Sequence, residues 1–595
     1  MNPIHNFHIP VMGLAFTVDS PVKVARYGID STISIIEDKL IELMRSHYYK
    51  DRNEPYIPIS DKHKDYRATR ITDYLNLVNK IITEQIEKIK TSAFDVGSEI
   101  SKYMEMLPTK SEVRELYFKM LSSEMSVKTE LQNLLRSFIT AGAIDVNIMT
   151  KVDKENRTKD GEVIPDSSDA VAALRGYANS NLTNSSIVFS AGMNPRLFNY
   201  LEQLTSFDAK GLGLFDKKIV IKVSDYRSAL IQGKFLAKKG LWVSEFRIES
   251  GLNCGGHAFA SDGSLLGPIL DEFKTKREEL AQALFQLYKP AAATKTGMDF
   301  TEPHPIKITV QGGVGTHEEA EFLLHQYDVT SVGWGTPFLL CPEATTVDDQ
   351  TLQLLCKAKE RDVVLSKNSP LGIQFNYLKG TSAEKEKLDR IKRGKPGSPC
   401  TEKHLVSNTE FTDEPICTAS HKYQSRKILE LDTLNLTTDE FQRRYNDVVA
   451  KECLCVGLSN SAVKEYGLTP IQKPTTVTVC PGPNIVYFDE VVTLKQMADH
   501  IYGRANIIHR SDRPHMFVKE LELNILHVKD QLESTDEKVI KAAHRYAENL
   551  LKGIGYYQSL AATMKLDEVS HSNFILALKE KEAELNKIVC VKEII

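Results

Sequence analysis

Three apolar runs in the middle of the chain each end in a glycine-rich turn, and together they constrain the fold more than any other feature. Leu241-Trp242-Val243-Ser244-Glu245-Phe246-Arg247-Ile248 leads into Glu249-Ser250-Gly251-Leu252-Asn253-Cys254-Gly255-Gly256-His257. Ile306-Lys307-Ile308-Thr309-Val310-Gln311 leads into Gly312-Gly313-Val314-Gly315, and Val329-Thr330-Ser331-Val332 into Gly333-Trp334-Gly335-Thr336-Pro337-Phe338. Paired glycines let a turn close tightly and let backbone approach a flat ligand. Strands that each end in such a loop and then feed a helix form a parallel α/β barrel, whose site gathers at the C-terminal ends of the strands.

Apolar runs elsewhere complete the count. Strands are predicted over 9–17, 31–36, 144–150, 186–190 and 218–223, followed by 241–248, 306–311 and 330–333, with helices over 21–27, 195–204 and 226–239. Their order predicts a (β/α)8 TIM barrel built from residues 1–37 and 142–380. Between the second and third strands, runs such as Tyr74-Leu75-Asn76-Leu77-Val78-Asn79-Lys80-Ile81-Ile82 place apolar residues at helical spacing, so 38–141 is predicted to be a long helical insertion. Residues 381–595 are predicted to form a mainly helical C-terminal extension, mixed loops followed by helices.

Bulk properties exclude some functions. A chain of 595 residues with 42% hydrophobic content can bury a large barrel core and satellite helices. A net charge of -4 gives no general attraction to nucleic acid, so no such partner is expected. The start Met1-Asn2-Pro3-Ile4-His5-Asn6 lacks the basic and apolar segments of a signal peptide, and no apolar run is long enough to span a bilayer; a cytoplasmic protein without a membrane partner is expected. Nine cysteines in such a compartment are expected to be reduced. Five of them, Cys400, Cys417, Cys453, Cys455 and Cys480, fall in the first half of the extension, and Cys400 and Cys480 sit in turn sequences. Turns can bring thiolates together on zinc or an iron–sulfur cluster, but the chain has no Cys-x-x-Cys pair, and the expectation is ordinary thiols with no metal ligand.

The ordered turns resemble those of nitronate monooxygenases, also called 2-nitropropane dioxygenases, and of their flavin-dependent enoyl-acyl carrier protein reductase relatives. Cys254-Gly255-Gly256-His257, Gly312-Gly313-Val314 and Gly335-Thr336-Pro337-Phe338-Leu339 match in order the turns that follow the sixth, seventh and eighth strands of that family. Ile9-Pro10-Val11-Met12-Gly13-Leu14-Ala15 and Val146-Asn147 look like its first and third strand ends. Pro337 stands where the family has arginine, and the insertion and the extension have no counterpart in its core.

This resemblance implies an FMN-binding barrel. Gly312, Gly313, Gly333, Trp334, Gly335 and Thr336 would cradle the phosphate, and Met12, Gly13, Leu14 and Ala15 would lie under the ring, beside Gly255 and Gly256. Asn147 would meet the pyrimidine edge or the ribityl chain, or else cap its own turn. Lys222, a charge inside Ile219-Val220-Ile221-Lys222-Val223, needs a partner, either flavin or substrate oxygen or a carboxylate. His257 is the expected catalytic residue, acting as base or hydrogen-bond donor toward an acidic C–H. The implied activity is oxidation of a small carbanion-forming substrate such as a nitronate. The alternatives are an NAD(P)H-dependent enoyl-thioester reductase, whose acyl carrier or protein partner would dock on the insertion, and a non-catalytic flavin-binding scaffold.

Overall fold

The computed structural model describes residues 4–150, 153–156, 160, 162–190, 192–255, 262–470, 475–534, 536–564 and 567–593. Eight parallel strands form a closed barrel: β1 (Phe7–Ile9), β2 (Asp30–Ser34), β3 (Ile144–Ile148), β4 (Ser185–Phe189), β5 (Lys217–Val223), β6 (Val243–Glu249), β7 (Lys307–Gln311) and β8 (Ser331–Gly333). Each strand pairs with the next in chain order, and β1 closes the ring on β8 through Phe7 opposite Val332. Helices lie between the strands, as the TIM-barrel expectation required.

The first strand is shorter than its apolar run predicts. Beyond Ile9 the chain leaves the sheet at Pro10 and turns at Gly13, whose φ of +57° needs a residue without Cβ. Thr17 Oγ1 accepts from the Met12 amide at 3.2 Å, and the Thr17 carbonyl accepts from Ser34 at 3.0 Å, so residues 10–17 form a folded loop over the end of β2.

Alternation on the strands separates two environments. Along β6, Phe246 and Ile248 face the helix layer and are fully buried there, while Glu245, Arg247 and Glu249 make their contacts inside the barrel. The helix Tyr226–Ala237 starts at Asp225, whose carboxylate accepts from the Ser228 amide at 2.7 Å. It lies tight against the helix Arg277–Thr296 because Gly233 has no side chain: a Cβ there would stand 2.7 Å from Leu284 and 3.1 Å from Phe246.

Five helices lie between β2 and β3: Asp38–Asp51, Tyr66–Thr91, Glu99–Met106, Glu112–Ser122 and Met125–Ser137. The longest buries Ile71, Tyr74, Leu75, Val78 and Ile82 at helical spacing, each contributing roughly 1.5–3 kcal/mol. Gly176 of the helix Asp169–Ala178 lets it approach, since a Cβ there would be 2.8 Å from the Ala68 carbonyl.

After β8 a hairpin, β9 (Val363–Ser366) with β10 (Phe375–Leu378), stands outside the closed barrel although it lies within the segment predicted as barrel, and the extension after it is mainly helices. From Asn460 onward these helices share one hydrophobic core with the barrel. Glu520, on the helix Met516–Leu532, accepts from the Leu266 amide at 3.0 and 3.1 Å and from the Tyr557 hydroxyl at 2.9 Å. Burial pushes its carboxyl up to about 7. A folded value above the unfolded one means that this contribution is full below the ordinary carboxylate range and is lost as pH rises through about 7. The whole span is worth at most about 3 kcal/mol. Wild-type urea midpoints are therefore expected to fall between about pH 4.5 and 7, with Glu520→Gln flattening the decline. An equal decline in the variant would place the titration elsewhere.

Candidate functional site

The barrel interior is polar, where side-chain layers in such barrels are usually branched and apolar. Arg247 on β6 reaches across to Asp145 on β3 at 2.7 Å and holds Glu245 on its own strand at 2.7 Å, and Thr309 on β7 donates to Glu245. Burial would raise the Glu245 carboxyl, but the charge and hydrogen bond of Arg247 outweigh it and hold it well below the usual range. One layer nearer the C-terminal ends, Glu249 Oε1 accepts from Lys222 Nζ at 3.1 Å, Asn253 Nδ2 at 2.8 Å and Gln311 Nε2 at 2.8 Å. Beside this hub, Asn147 Oδ1, Gln311 Oε1 and Ser34 Oγ are buried without a partner. Buried polar atoms are rarely left unpaired, and three at the C-terminal ends of β2, β3 and β7 mark a place where a polar ligand edge would satisfy them.

The glycine turns meet directly above. A Cβ on Gly255 would stand 2.8 Å from the Gly13 amide, so the loops after β1 and β6 touch backbone to backbone. Gly335 adjoins both, with its Cβ position 3.3 Å from Cys254, 3.4 Å from Pro10 and 3.8 Å from the Met12 sulfur. Gly312 and Gly313 have φ of +104° and +95° and lie against Asn253 and Leu252 of the β6 loop.

The extension straps this end of the barrel. The Cys480 carbonyl accepts from the Gly255 amide at 2.9 Å, the Gly482 amide donates to Thr336 Oγ1 at 2.9 Å, and Asn484 Nδ2 donates to the Val314 carbonyl at 3.1 Å. Arg513, paired with Glu319 at 2.8 Å, donates to the Gly313 carbonyl at 3.2 Å, and His500 Nε2 lies 2.8 Å from the Gly315 carbonyl. The carbonyls of the β7 turn are thus drawn toward the extension, and in a planar trans peptide the following N–H points the opposite way. Burial pushes the Cys254 and Cys480 thiols up, Cys480 to about 12, so neither is a ready thiolate near neutral pH.

The structure brings together Met12, Gly13, Gly255, Gly312, Gly313, Gly335 and Thr336. Leu14 and Ala15 lie in the same loop, but the Ala15 amide donates to the Leu458 carbonyl at 3.0 Å, away from the mouth. Asn147 stands at the end of β3 with its unpaired oxygen, and Lys222 has taken a carboxylate, Glu249, as its partner. Gly333 belongs to the interior: a Cβ there would be 2.6 Å from Gln311 and 2.8 Å from His8. The Trp334 ring is fully buried edge-on to His500 of the extension, at 5.7 Å and 84°. Gly256 and His257 lie outside the described residues.

Glu249, Gln311 and Asn253, the core of the polar hub, were not singled out from the sequence. Their signal is there as alternation: Thr32 and Ser34, Asp145 and Asn147, Glu245, Arg247 and Glu249, and Thr309 and Gln311 each repeat every second residue. Among the described residues, Glu37, Glu402 and His404 also have ligand atoms within 4.8 Å of one another. Glu37 there caps a helix, accepting from the amides of Lys39 and Leu40, which accounts for its position.

Neither a family model nor a curated protein matches the sequence. Solved structures similar to the chain include the enoyl reductase domain of MlnA from the macrolactin biosynthesis cluster from Bacillus amyloliquefaciens, with 14% identity over 75% of this chain and 88% of that one and a TM-score of 0.33. Nitroalkane oxidase from Streptomyces ansochromogenes is similar at 11% identity over 42% of this chain and 66% of that one, with a TM-score of 0.23. At these scores neither likeness bears on cofactor or substrate.

Proposed function

We propose that this chain is an FMN-dependent oxidoreductase of the nitronate monooxygenase kind, acting in the cytoplasm on a small carbanion-forming substrate such as a nitronate. The observation that carries this is the mouth of the barrel. Backbone from three loops meets at Gly13, Gly255 and Gly335 beside strand ends whose Asn147 Oδ1 and Gln311 Oε1 are buried and unpaired. A flat ring with a hydrogen-bonding edge fits both features.

When bound, FMN supplies a two-electron acceptor. Asn147 and Gln311 would hold its polar edge, Met12 and Gly13 would lie against its ring, and the turns at Gly312-Gly313 and Gly335-Thr336 would receive the phosphate. Glu318 and Glu319 occupy the first turn of the helix His317–Gln326, so an anion there depends on the glycine turns rather than on the helix end. Lys222 is held by Glu249 at 3.1 Å, which fixes a cation among the strand ends that would receive the flavin. His257 would take the substrate proton.

The protein is expected to purify yellow or to take up FMN. Gly335 is the informative position: its φ of -101° suits any residue, so Gly335→Leu keeps an unstrained backbone while filling the space between Met12 and Cys254. Flavin retention is expected to fall at least tenfold with unchanged circular dichroism, whereas Gly313 at φ +95° would be strained by any side chain. Full FMN retention in Gly335→Leu would remove this site. Stopped-flow reduction tests the substrate: reduction by a nitronate with oxygen consumption supports the proposal. Rapid reduction by NAD(P)H assigns an enoyl-thioester reductase with an acyl-carrier partner, and reduction by neither assigns a scaffold.

A further inference from the structure

Four of the five cysteines in the first half of the extension come together although they are far apart in the sequence. Cys400 and Cys417 interact side chain to side chain, as do Cys453 and Cys455, and Cys455 also lies in the electrostatic range of Cys417 and Cys400. Three loops supply them, and each loop is tied to the next. The Ser398 amide donates to the Ala419 carbonyl at 2.9 Å and the His421 amide to the Ser398 carbonyl at 2.8 Å, which fixes the Cys400 turn against the Cys417 turn. Gly397 makes this approach possible, because a Cβ there would stand 2.6 Å from the His421 amide. Gln424 Nε2 donates to the carbonyls of Thr418 at 3.4 Å and Lys451 at 3.3 Å, joining the second loop to the third. The Glu452 amide donates to the Asn368 carbonyl at 2.9 Å, and the Tyr377 hydroxyl to Glu452 at 2.8 Å, so the third loop rests on the β9–β10 hairpin.

Gly397, Ser398, Ala419, Lys451, Cys453 and Val456 line one small cavity where these loops meet, and the Ser398 hydroxyl donates to the Ala419 carbonyl at 3.3 Å. Cys400 has φ +54°, a left-handed conformation that a cysteine does not favour. Cys417 and Cys455 are buried, and no disulfide joins any of the four.

We infer that Cys400, Cys417, Cys453 and Cys455 form a four-thiolate site for an iron–sulfur cluster. The spacing of the sulfurs decides between metals. A single tetrahedral zinc, with Zn–S bonds of about 2.3 Å, draws its four sulfurs to within about 4 Å of one another. Among the described residues no three of these sulfurs lie mutually within 4.8 Å. Two close pairs set apart leave room for a polynuclear core, and four cysteines are the ligand set of both the two-iron and the four-iron clusters. Cys480 is not part of the group; its carbonyl binds Gly255 at the barrel mouth. The cluster position adjoins the loop after β1 on the side away from that mouth, since the helix Leu454–Gly457 runs from Cys453 to Leu458, whose carbonyl accepts from Ala15 in that loop.

The test is iron and acid-labile sulfide on the full chain purified without oxygen, with electron paramagnetic resonance after dithionite. Equal iron and sulfide, about two to four of each per chain, and a reduced-cluster signal are expected. Cys400→Ser and Cys455→Ser are each expected to lose at least nine-tenths of both, while Cys480→Ser keeps them. Should either variant fail to fold, reconstitution of metal-free wild type with ferrous iron and sulfide against zinc gives the same decision. Zinc alone, four titratable thiols without metal, or equal loss in Cys480→Ser would each overturn the assignment. Flavin content is read on the same samples, so cluster without flavin and flavin without cluster are separate results.

Discussion

Replacing Arg247 with alanine is expected to destabilise the protein by about 3–5 kcal/mol, the range for removing one partner of a buried ion pair. The guanidinium is 4% exposed and bridges Asp145, 9% exposed, and Glu245, 12% exposed, each at 2.7 Å. Without it two carboxylates remain inside the barrel with no cation between them, and the Thr309 hydroxyl satisfies only one oxygen of Glu245. The pH dependence carries a sign. Arg247 holds the Glu245 carboxyl below its ordinary value against the opposing effect of burial, so the stability it contributes is present above the unfolded value and lost as pH falls through the folded one. The gap between wild type and variant in urea midpoint should therefore narrow in acid, where the stranded carboxylates take up protons. Replacing all three groups together with apolar residues of similar volume should recover most of the loss. A loss below about 1 kcal/mol for Arg247→Ala would show that water reaches both carboxylates and that the interior is not dry.

The second large effect concerns chemistry. If His257 takes the substrate proton, His257→Ala should leave flavin bound and slow its reduction by substrate by about two orders of magnitude or more, the scale for losing a positioned base. The loss should fall on the reduction step, with flavin affinity unchanged, because the proposed binding groups are Asn147, Gln311 and the glycine turns. Unchanged reduction in the variant would leave the histidine no part in the reaction.

The sequence by itself determined the barrel. Parallel strands packed under a layer of helices need apolar residues on that face, and the loops between strand and helix need glycine where backbone must touch backbone. Both requirements are local, so Gly255, Gly312, Gly313 and Gly335 could be placed at strand ends before any coordinates, and the insertion followed from its 3.6-residue spacing. Boundaries were less secure where a neighbour sets them: β1 stops at Ile9 because β8 pairs with it over only a few residues and Gly13 turns the chain away.

Tertiary structure decided what the apolar runs hid. Whether Lys222 meets a ligand or a carboxylate depends on which residue β6 presents one strand away, and that residue is Glu249. Trp334 and Gly333 belong to the turn in sequence, yet one packs on the extension and the other on His8, because the mouth is strapped by residues more than a hundred positions downstream. The cysteines show the same limit. Cys400, Cys417, Cys453 and Cys455 lack a local spacing motif, since convergence from three separate loops needs no fixed interval along the chain. A sequence records periodicity and turn chemistry because neighbours along the chain enforce them; contacts across a closed barrel and between loops are enforced only by the packing that brings them together.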